Sequence, residues 1–471
     1  MKKLLLLIAL SSFAIVSAQT KLVSHHLELK KPKDSQLLLN AVNTDTHEVY
    51  TIAADKENTT VLKFNSALFY SDSLSVKRPD KEYTFMVGYS FEKNKDPFIY
   101  WASEDMKKIL AVQYNFTNRN AQMAIYTLPL SDESIIATFS KNNTFYILSS
   151  DDKEEKLQLY VFKNGIMERK TLDFEPFNFV TKNGKSTTFN AILEGYPIQL
   201  IETEMFNPLT ACVQKTKVYL TEKKIVLTFD HNPKETQIFE TDLNTYETKE
   251  KKIAQPEMKG TDVQANSFFN NDKLYQLKLT DIEMAFYIKD INSGEVLKDE
   301  IITENDTITF KNSPLYSQTG SQRPKELKNT KKFMNRLSGS DIGLSVYNLN
   351  DNLLLTIGGA RDVANAGMIA LGVAAGVGGI IAGTNGDISG MLDSSTLQTN
   401  YYENIVDRNF QTIKDRPGPL AVDFISQFME EQDTISLQNT FMYKNFYVIG
   451  YYDSKAKEYV MRKFADEGLF N

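Results

Sequence analysis

Apolar and aromatic residues recur along this chain in short runs that stop at a few polar residues and then resume. Residues 135–140 break at Lys141, Asn142 and Asn143 and restart over 144–149. The same pattern joins 218–220 to 225–229, 265–269 to 273–278, 344–347 to 352–357, and 440–443 to 446–451. Runs of this length, bounded by Asn, Asp and Lys, predict antiparallel hairpins. Weaker copies turn near 43–46, 92–96 and 182–185, which places hairpin junctions near 45, 94, 142, 183, 222, 271, 349 and 444.

Each hairpin is followed by two more strand-like runs. After 144–149 come 156–162 and 166–172, joined through Lys163, Asn164 and Gly165; after 273–278 come 284–288 and 296–302. Glycine in these turns supplies the positive φ of a tight hairpin. Four antiparallel strands every 40 to 50 residues is the rhythm of a propeller blade. A stack of sandwiches or a large barrel are the alternatives, but no Pro/Gly-rich linkers recur at sandwich spacing. The chain resembles the β-propeller repeat proteins, in the broad sense that includes the WD-repeat and kelch families. It lacks the Trp-Asp dipeptide of the first and does not repeat the paired glycines of the second from blade to blade. Within that class it looks like exported propeller proteins of bacteria, a likeness that implies a fold and no activity. The expected fold class is all-β: a single β-propeller over 19–471, of seven or eight four-stranded blades, with one or two short helices in inter-blade insertions. A strand near 27–29 is expected to complete the last blade and close the ring.

Residues 1–18 read as a cleavable export signal. Lys2 and Lys3 precede an apolar run from Leu4 to Val16, and Ser17 and Ala18 suit the peptidase. The apolar run is too short to span a bilayer. The lone cysteine, Cys212, forbids an intrachain disulfide. That fits a bacterial periplasm, envelope or exterior better than a secreted animal protein. The formal charge of −7 becomes more negative once Lys2 and Lys3 are removed. It argues against a nucleic-acid partner, which cations must hold.

Three insertions interrupt the rhythm. Residues 311–340 form a basic linker that carries Lys325, Lys328, Lys331, Lys332 and Arg336 against a single acid, Glu326, and predict a short helix over 326–337. It reads either as a solvated linker or as a patch for an anionic partner, such as lipid phosphate or an acidic glycan. Residues 358–399 form a glycine-rich apolar loop, uncharged over 363–386. Its apolar side chains Met368, Ile369, Leu371, Ile380 and Ile381 are candidate contacts. If the flanking strands pair in one blade, the segment must leave and return. It is then a flexible loop, a hairpin packed over the ring, or a tip that enters a membrane or partner. Residues 419–432 place Leu420, Phe424, Ile425, Phe428 and Met429 at helical spacing after Pro419. In an antiparallel blade the links and the second turn share one face, so all three insertions are expected to emerge together.

No residue pattern points to a cofactor or a metal. His25, His26, His47 and His231 have no ligand spacing, and no nucleophile elbow or phosphate loop is present. The leading expectation is a non-enzymatic interaction protein whose insertion face meets an envelope protein or a membrane surface. The alternative is a propeller enzyme acting on glycan or peptide through carboxylates at the central channel.

Overall fold

The computed structural model describes residues 19–93, 96–320, 322–363 and 397–467. Among them are thirty-two strands, numbered β1 to β32 in chain order, and four short helices. Thirty of the strands form seven sheets of four or five strands in succession around a ring, and the other two pair as a small separate hairpin. Blades 1 to 3 are β2–β5 (37–77), β6–β9 (83–127) and β10–β13 (133–173). Blade 4 is β17–β20 (216–254), to which β16 (Ile198–Ile201) adds in parallel on the inner side. Blade 5 is β21–β24 (264–303). Blade 6 contains β27 (Asp341–Leu349), β28 (Asn352–Asp362) and β29 (Leu397–Val406). Blade 7 contains β30 (Ile435–Tyr443), β31 (Phe446–Asp453) and β32 (Glu458–Phe464).

Burial is greatest in the middle strands of each blade and least in the outer strand, which explains the pattern in the chain. In blade 3 the middle strands β11 (Thr144–Asp151) and β12 (Lys156–Lys163) are buried on both faces, because neighbouring blades stack on each side. The outer strand β13 (Ile166–Asp173) is largely exposed. Continuous apolar runs therefore mark middle strands and polar runs mark rims. The hairpin turns carry the left-handed residues that a two-residue turn demands: Asn142 and Asn143 have φ of 49° and 58°, and Asn271 and Asp272 have 49° and 56°. Separate apolar layers fill the seams between successive blades, one of them serving blades 4, 5 and 6, and the last joins blade 7 to blade 1. The protein is a closed β-propeller.

Closure is made by β1 (Gln19–His26), which pairs antiparallel with β32 from Gln19↔Phe464 to His26↔Glu458. The closing strand lies just upstream of the expected 27–29, whose Leu27 and Leu29 are instead buried behind it. The turn near 183 founds no blade. It joins two-residue strands, Phe179–Val180 and Ser186–Thr187, ahead of helix α1 (Phe189–Gly195). Phe179 and Phe189 fill the seam between blades 3 and 4.

Blade 6 departs most from the simple plan. Its outer strand, β25 (Tyr316–Thr319), comes from the basic segment and pairs with β29, Tyr316 facing Tyr401 and Thr319 facing Gln398. Residues 311–340 are thus part of a blade and not only a linker. The predicted loop start is also corrected: β28 continues through Gly358 and Gly359 to Asp362, paired with Leu397, so the connection is shorter than 358–399. The two glycines allow a close approach. A Cβ on Gly358 would collide with the Asn400 carbonyl oxygen and lie 2.8 Å from Tyr401 Cα, both backbone atoms that cannot turn aside. Gly358→Ala is expected to destabilise the protein by about 1–3 kcal/mol. Urea denaturation checks it, and an unchanged midpoint would mean that the strands part easily there.

Candidate functional site

After β16 the chain does not return to the rim. Residues 202–213 cross the axis of the ring. Thr203 Oγ1 donates to the Leu220 carbonyl of blade 4 at 2.8 Å, and Lys141 of blade 3 holds Glu204 at 2.5 Å. The Phe206 N–H donates to the Tyr447 hydroxyl of blade 7 at 2.7 Å, and Ser345 Oγ of blade 6 donates to the Asn207 carbonyl at 2.7 Å. Asn266 Nδ2 of blade 5 donates to the Val213 carbonyl at 2.7 Å. The last turn of this segment, helix α2 (Leu209–Cys212), lies against Gly343, where a Cβ would be 2.8 Å from Val213 Cα. The segment therefore brings a mixture of apolar and polar side chains to the middle of the ring. Burial holds the Glu202 carboxyl above its usual range there, with Lys141 opposing and Glu204 adding. Burial also pushes the Cys212 thiol up to about 12, which leaves it without thiolate character.

A pocket of about 710 Å³ opens beside this segment between blade 6 and helix α4 (Ala421–Glu430). The helix forms where expected. Asp423 accepts from the Leu420 N–H at 2.8 Å, and the Ala421 N–H donates to Asp466 at 2.8 Å. Ala421, Val422, Ile425 and Phe428 form its buried face against blade 7. Phe206 and Leu209 from the axis and Thr356 from β28 line the inner wall. Tyr401 and Glu403, two apart on β29 and so on one face, line the other with Asp423. Tyr401 Oη donates to Gln318 Oε1 of β25 at 3.2 Å. Burial, and then the charge of Asp423, push the Glu403 carboxyl up to about 7. Burial also raises Asp423, with the Leu420 N–H opposing. Two neighbouring carboxyl groups shifted in this way can bind a cation or exchange a proton near neutral pH. Sequence reasoning missed this pair because acids are plentiful and nothing marks which ones converge.

The basic residues named from sequence are spread over two elements. Lys325 lies in β26 (Lys325–Glu326) and Lys328 in the following turn, both exposed. Lys331, Lys332 and Arg336 belong to helix α3 (Thr330–Leu337). Its buried Phe333, Met334 and Leu337 fill the seam between blades 5 and 6, and Phe333 meets Tyr402 edge-on at 5.6 Å. Lys331 pairs with Glu304 at 3.0 Å, and Arg336 Nη1 donates to Gln398 Oε1 at 3.4 Å. Met368, Ile369, Leu371, Ile380 and Ile381 lie outside the described residues. Helices α3 and α4 thus flank blade 6, and the β28–β29 connection leaves from its end.

Among the described residues no three His, Cys, Asp or Glu side chains are placed to hold a metal ion. No described helix is long and apolar enough to cross a membrane.

No known protein family matches the chain, and no curated protein is similar to it in sequence. Solved structures are similar to it at low identity. The WD40 domain of SCAP from fission yeast is 9% identical, with 95% of this chain and 97% of that one covered and a TM-score of 0.29. The Nup133 β-propeller domain of Vanderwaltozyma polyspora is 11% identical, with coverage of 95% and 97% and a TM-score of 0.33. A prolyl endopeptidase is 7% identical, with 93% of this chain and 52% of that one covered and a TM-score of 0.35. Function has to be read from the site itself.

Proposed function

We propose that this is an exported, non-enzymatic binding protein that presents the blade 6 end of its propeller to a partner in the bacterial cell envelope, either a protein or a lipid surface. The observation that carries the reading is the irregular structure gathered at blade 6, the larger of two such groupings, the other being β16, the 179–187 hairpin and α1 at blade 4. The borrowed outer strand, α3, α4 and the long β28–β29 connection all attach to blade 6 or its seams, while blades 1, 2, 3 and 5 keep the plain four-stranded pattern. Rigid scaffolds with elaborated connections at one place commonly bind there. Export rests on the sequence of residues 1–18.

The test is capture from solubilised envelope with the 19–471 chain and with a 363–386 deletion side by side. Because Asp362 and Leu397 already face each other in the sheet, residues 387–396 suffice to reconnect the strands. A partner held by the first protein and lost by the second is expected. Equal capture by both sinks the proposal.

A second reading is favoured by one observation, the Glu403–Asp423 pair in the pocket: an enzyme acting on glycan or peptide. Its carboxylates sit in the pocket beside blade 6, next to the segment 202–213. Turnover on a glycan and peptide panel, abolished by Glu403→Gln, would support it; activity unaffected by that change would remove the pocket from consideration.

A further inference from the structure

Two arginines at the end of blade 6 converge on a single neutral oxygen. Arg361 lies near the end of β28, in register with Gln398 of β29, and Arg336 reaches over from the last turn of α3. Gln398 Oε1 accepts from Arg361 Nε at 3.0 Å, from Arg361 Nη2 at 2.7 Å and from Arg336 Nη1 at 3.4 Å. Gln398 Nε2 donates to Thr319 Oγ1 at 3.2 Å, which holds the amide with its oxygen toward the arginines.

This arrangement leaves charge unmatched. The Nε/Nη2 edge of Arg361 is the fork that ordinarily takes a carboxylate or phosphate in two parallel bonds. Here it meets an uncharged amide. Neither arginine forms an ion pair among the described residues, whereas Lys331 on the same helix pairs with Glu304. Two guanidinium groups with nitrogens within 3.4 Å of one atom repel each other, and the exposed Lys332, one turn before Arg336, adds a third positive charge to that side of the helix. Capping of α3 does not account for them. The carbonyls at its end are already taken: Met334 by the Ser338 N–H at 2.9 Å, Asn335 by Ser338 Oγ at 3.1 Å, and Arg336 by Ser340 Oγ at 2.9 Å.

We propose that Arg336 and Arg361 form a binding site for a phosphoryl oxyanion, either a phospholipid headgroup or free phosphate. A tetrahedral phosphoryl group directs its free oxygens out of a single plane, two in a phosphodiester and more in free phosphate, and so can bridge two forks that approach from different elements, which the two coplanar oxygens of a carboxylate do less well. Gly339, beside Arg361 Nη1, is exposed and has no side chain to block the approach to that nitrogen, and an anion would take the Arg361 fork by displacing the Gln398 amide oxygen. The site gives the blade 6 surface a ligand class, and in that sense rests on the reading above, but it can be tested separately.

The experiment titrates inorganic phosphate into the 19–471 chain at constant ionic strength, with chloride as the reference, and follows thermal unfolding and heat of binding. Saturable stabilisation by phosphate is expected. Arg361→Gln and Arg336→Gln should each weaken it roughly tenfold or more, since a hydrogen bond to a charged group is lost. Arg361→Lys keeps the charge without the fork and should fall between. A second arm measures binding to phosphatidylcholine vesicles with and without phosphatidylglycerol. Binding that needs phosphatidylglycerol and Arg361 supports the site and identifies the headgroup as its source. No response to either probe, or the same response in folded Arg336→Gln and Arg361→Gln proteins, overturns the site. Envelope capture retained by Arg361→Gln alongside a null phosphate titration would sink this site alone. Phosphate binding alongside undiminished capture by the 363–386 deletion would sink the proposed working surface alone.

Discussion

Replacing Asp230 by alanine should cost on the order of 3–5 kcal/mol, the penalty for leaving a buried charge without its partner. Asp230 and Lys217 have fully buried side chains and stand 3.6 Å apart in the seam between blades 4 and 5. Asp230 also accepts from Thr236 Oγ1 at 2.7 Å and from both the N–H and Oγ of Ser267 at 2.8 Å. Lys217 donates to Asn266 Oδ1 at 2.6 Å. Burial already pulls the Lys217 ammonium below its usual range, and Asp230 is what opposes the shift. Without Asp230, Lys217 must lose its proton or be held charged against one amide oxygen. Joint replacement, Lys217→Met with Asp230→Leu, removes both charges and should recover part of the loss, the remainder being the Ser267 N–H and the two hydroxyls left without their acceptor. Urea denaturation of the two single variants and the double variant settles it; a loss below about 1 kcal/mol in Asp230→Ala would mean that solvent reaches the pair. The network matters beyond stability. Asn266, which binds Lys217, also donates to the Val213 and Ile342 carbonyls, so it fixes the axial segment against blades 5 and 6. That segment supplies Phe206 and Leu209 to the pocket wall.

The hairpins with Asn–Asn and Asn–Asp turns were legible in the chain because the residues that permit positive φ also end the apolar runs. The hairpin at 179–187 has the same local chemistry, which is why the chain alone leaves the blade count at seven or eight. Nothing near it shows that its strands are only two residues long and serve to bring Phe189 into a seam. Gly358 and Gly359 fall at the start of the glycine-rich stretch and so look like loop in the sequence, whereas in the fold they permit close packing of β28 on β29 and β27. The strand β25 was hidden because its partner lies about eighty residues downstream, and a run of four residues has no period to detect. The axial segment 202–213 was equally silent, since its meaning comes from contacts with blades 3, 5, 6 and 7. At the site, the basic run was visible as composition. Its meeting with Arg361, and that of Glu403 with Asp423, is created by the ring.

Glu403→Gln should stabilise the protein above pH 7 by up to about 3 kcal/mol, and should flatten its pH dependence between about 4.5 and 7. The sign follows from where the proton sits. An unfolded chain releases the Glu403 proton near 4.5, while the folded protein keeps it until about 7. Across that interval the folded state binds more protons than the unfolded state, so stability falls as pH rises, and the whole penalty is present above 7. Glutamine has no charge to desolvate. The strand around it should hold its place, because the Glu403 N–H is taken by Ser313 Oγ at 2.8 Å and its carbonyl by the Asn312 N–H at 2.8 Å. Asp423→Asn supplies the control. An asparagine oxygen can still accept from the Leu420 N–H, but the negative charge beside Glu403 is gone, so the wild-type step should move toward lower pH without vanishing. Thermal midpoints from pH 4 to 9 for the three proteins measure both effects. A Glu403→Gln curve parallel to the wild-type curve would show that Glu403 ionises as an ordinary surface acid and that the pocket holds no poised proton. A flattened curve would establish a destabilising carboxyl at the blade 6 pocket. A group that costs stability when ionised is released from that cost when a cationic ligand binds beside it, so the same residue that weakens the free protein at neutral pH would strengthen the complex.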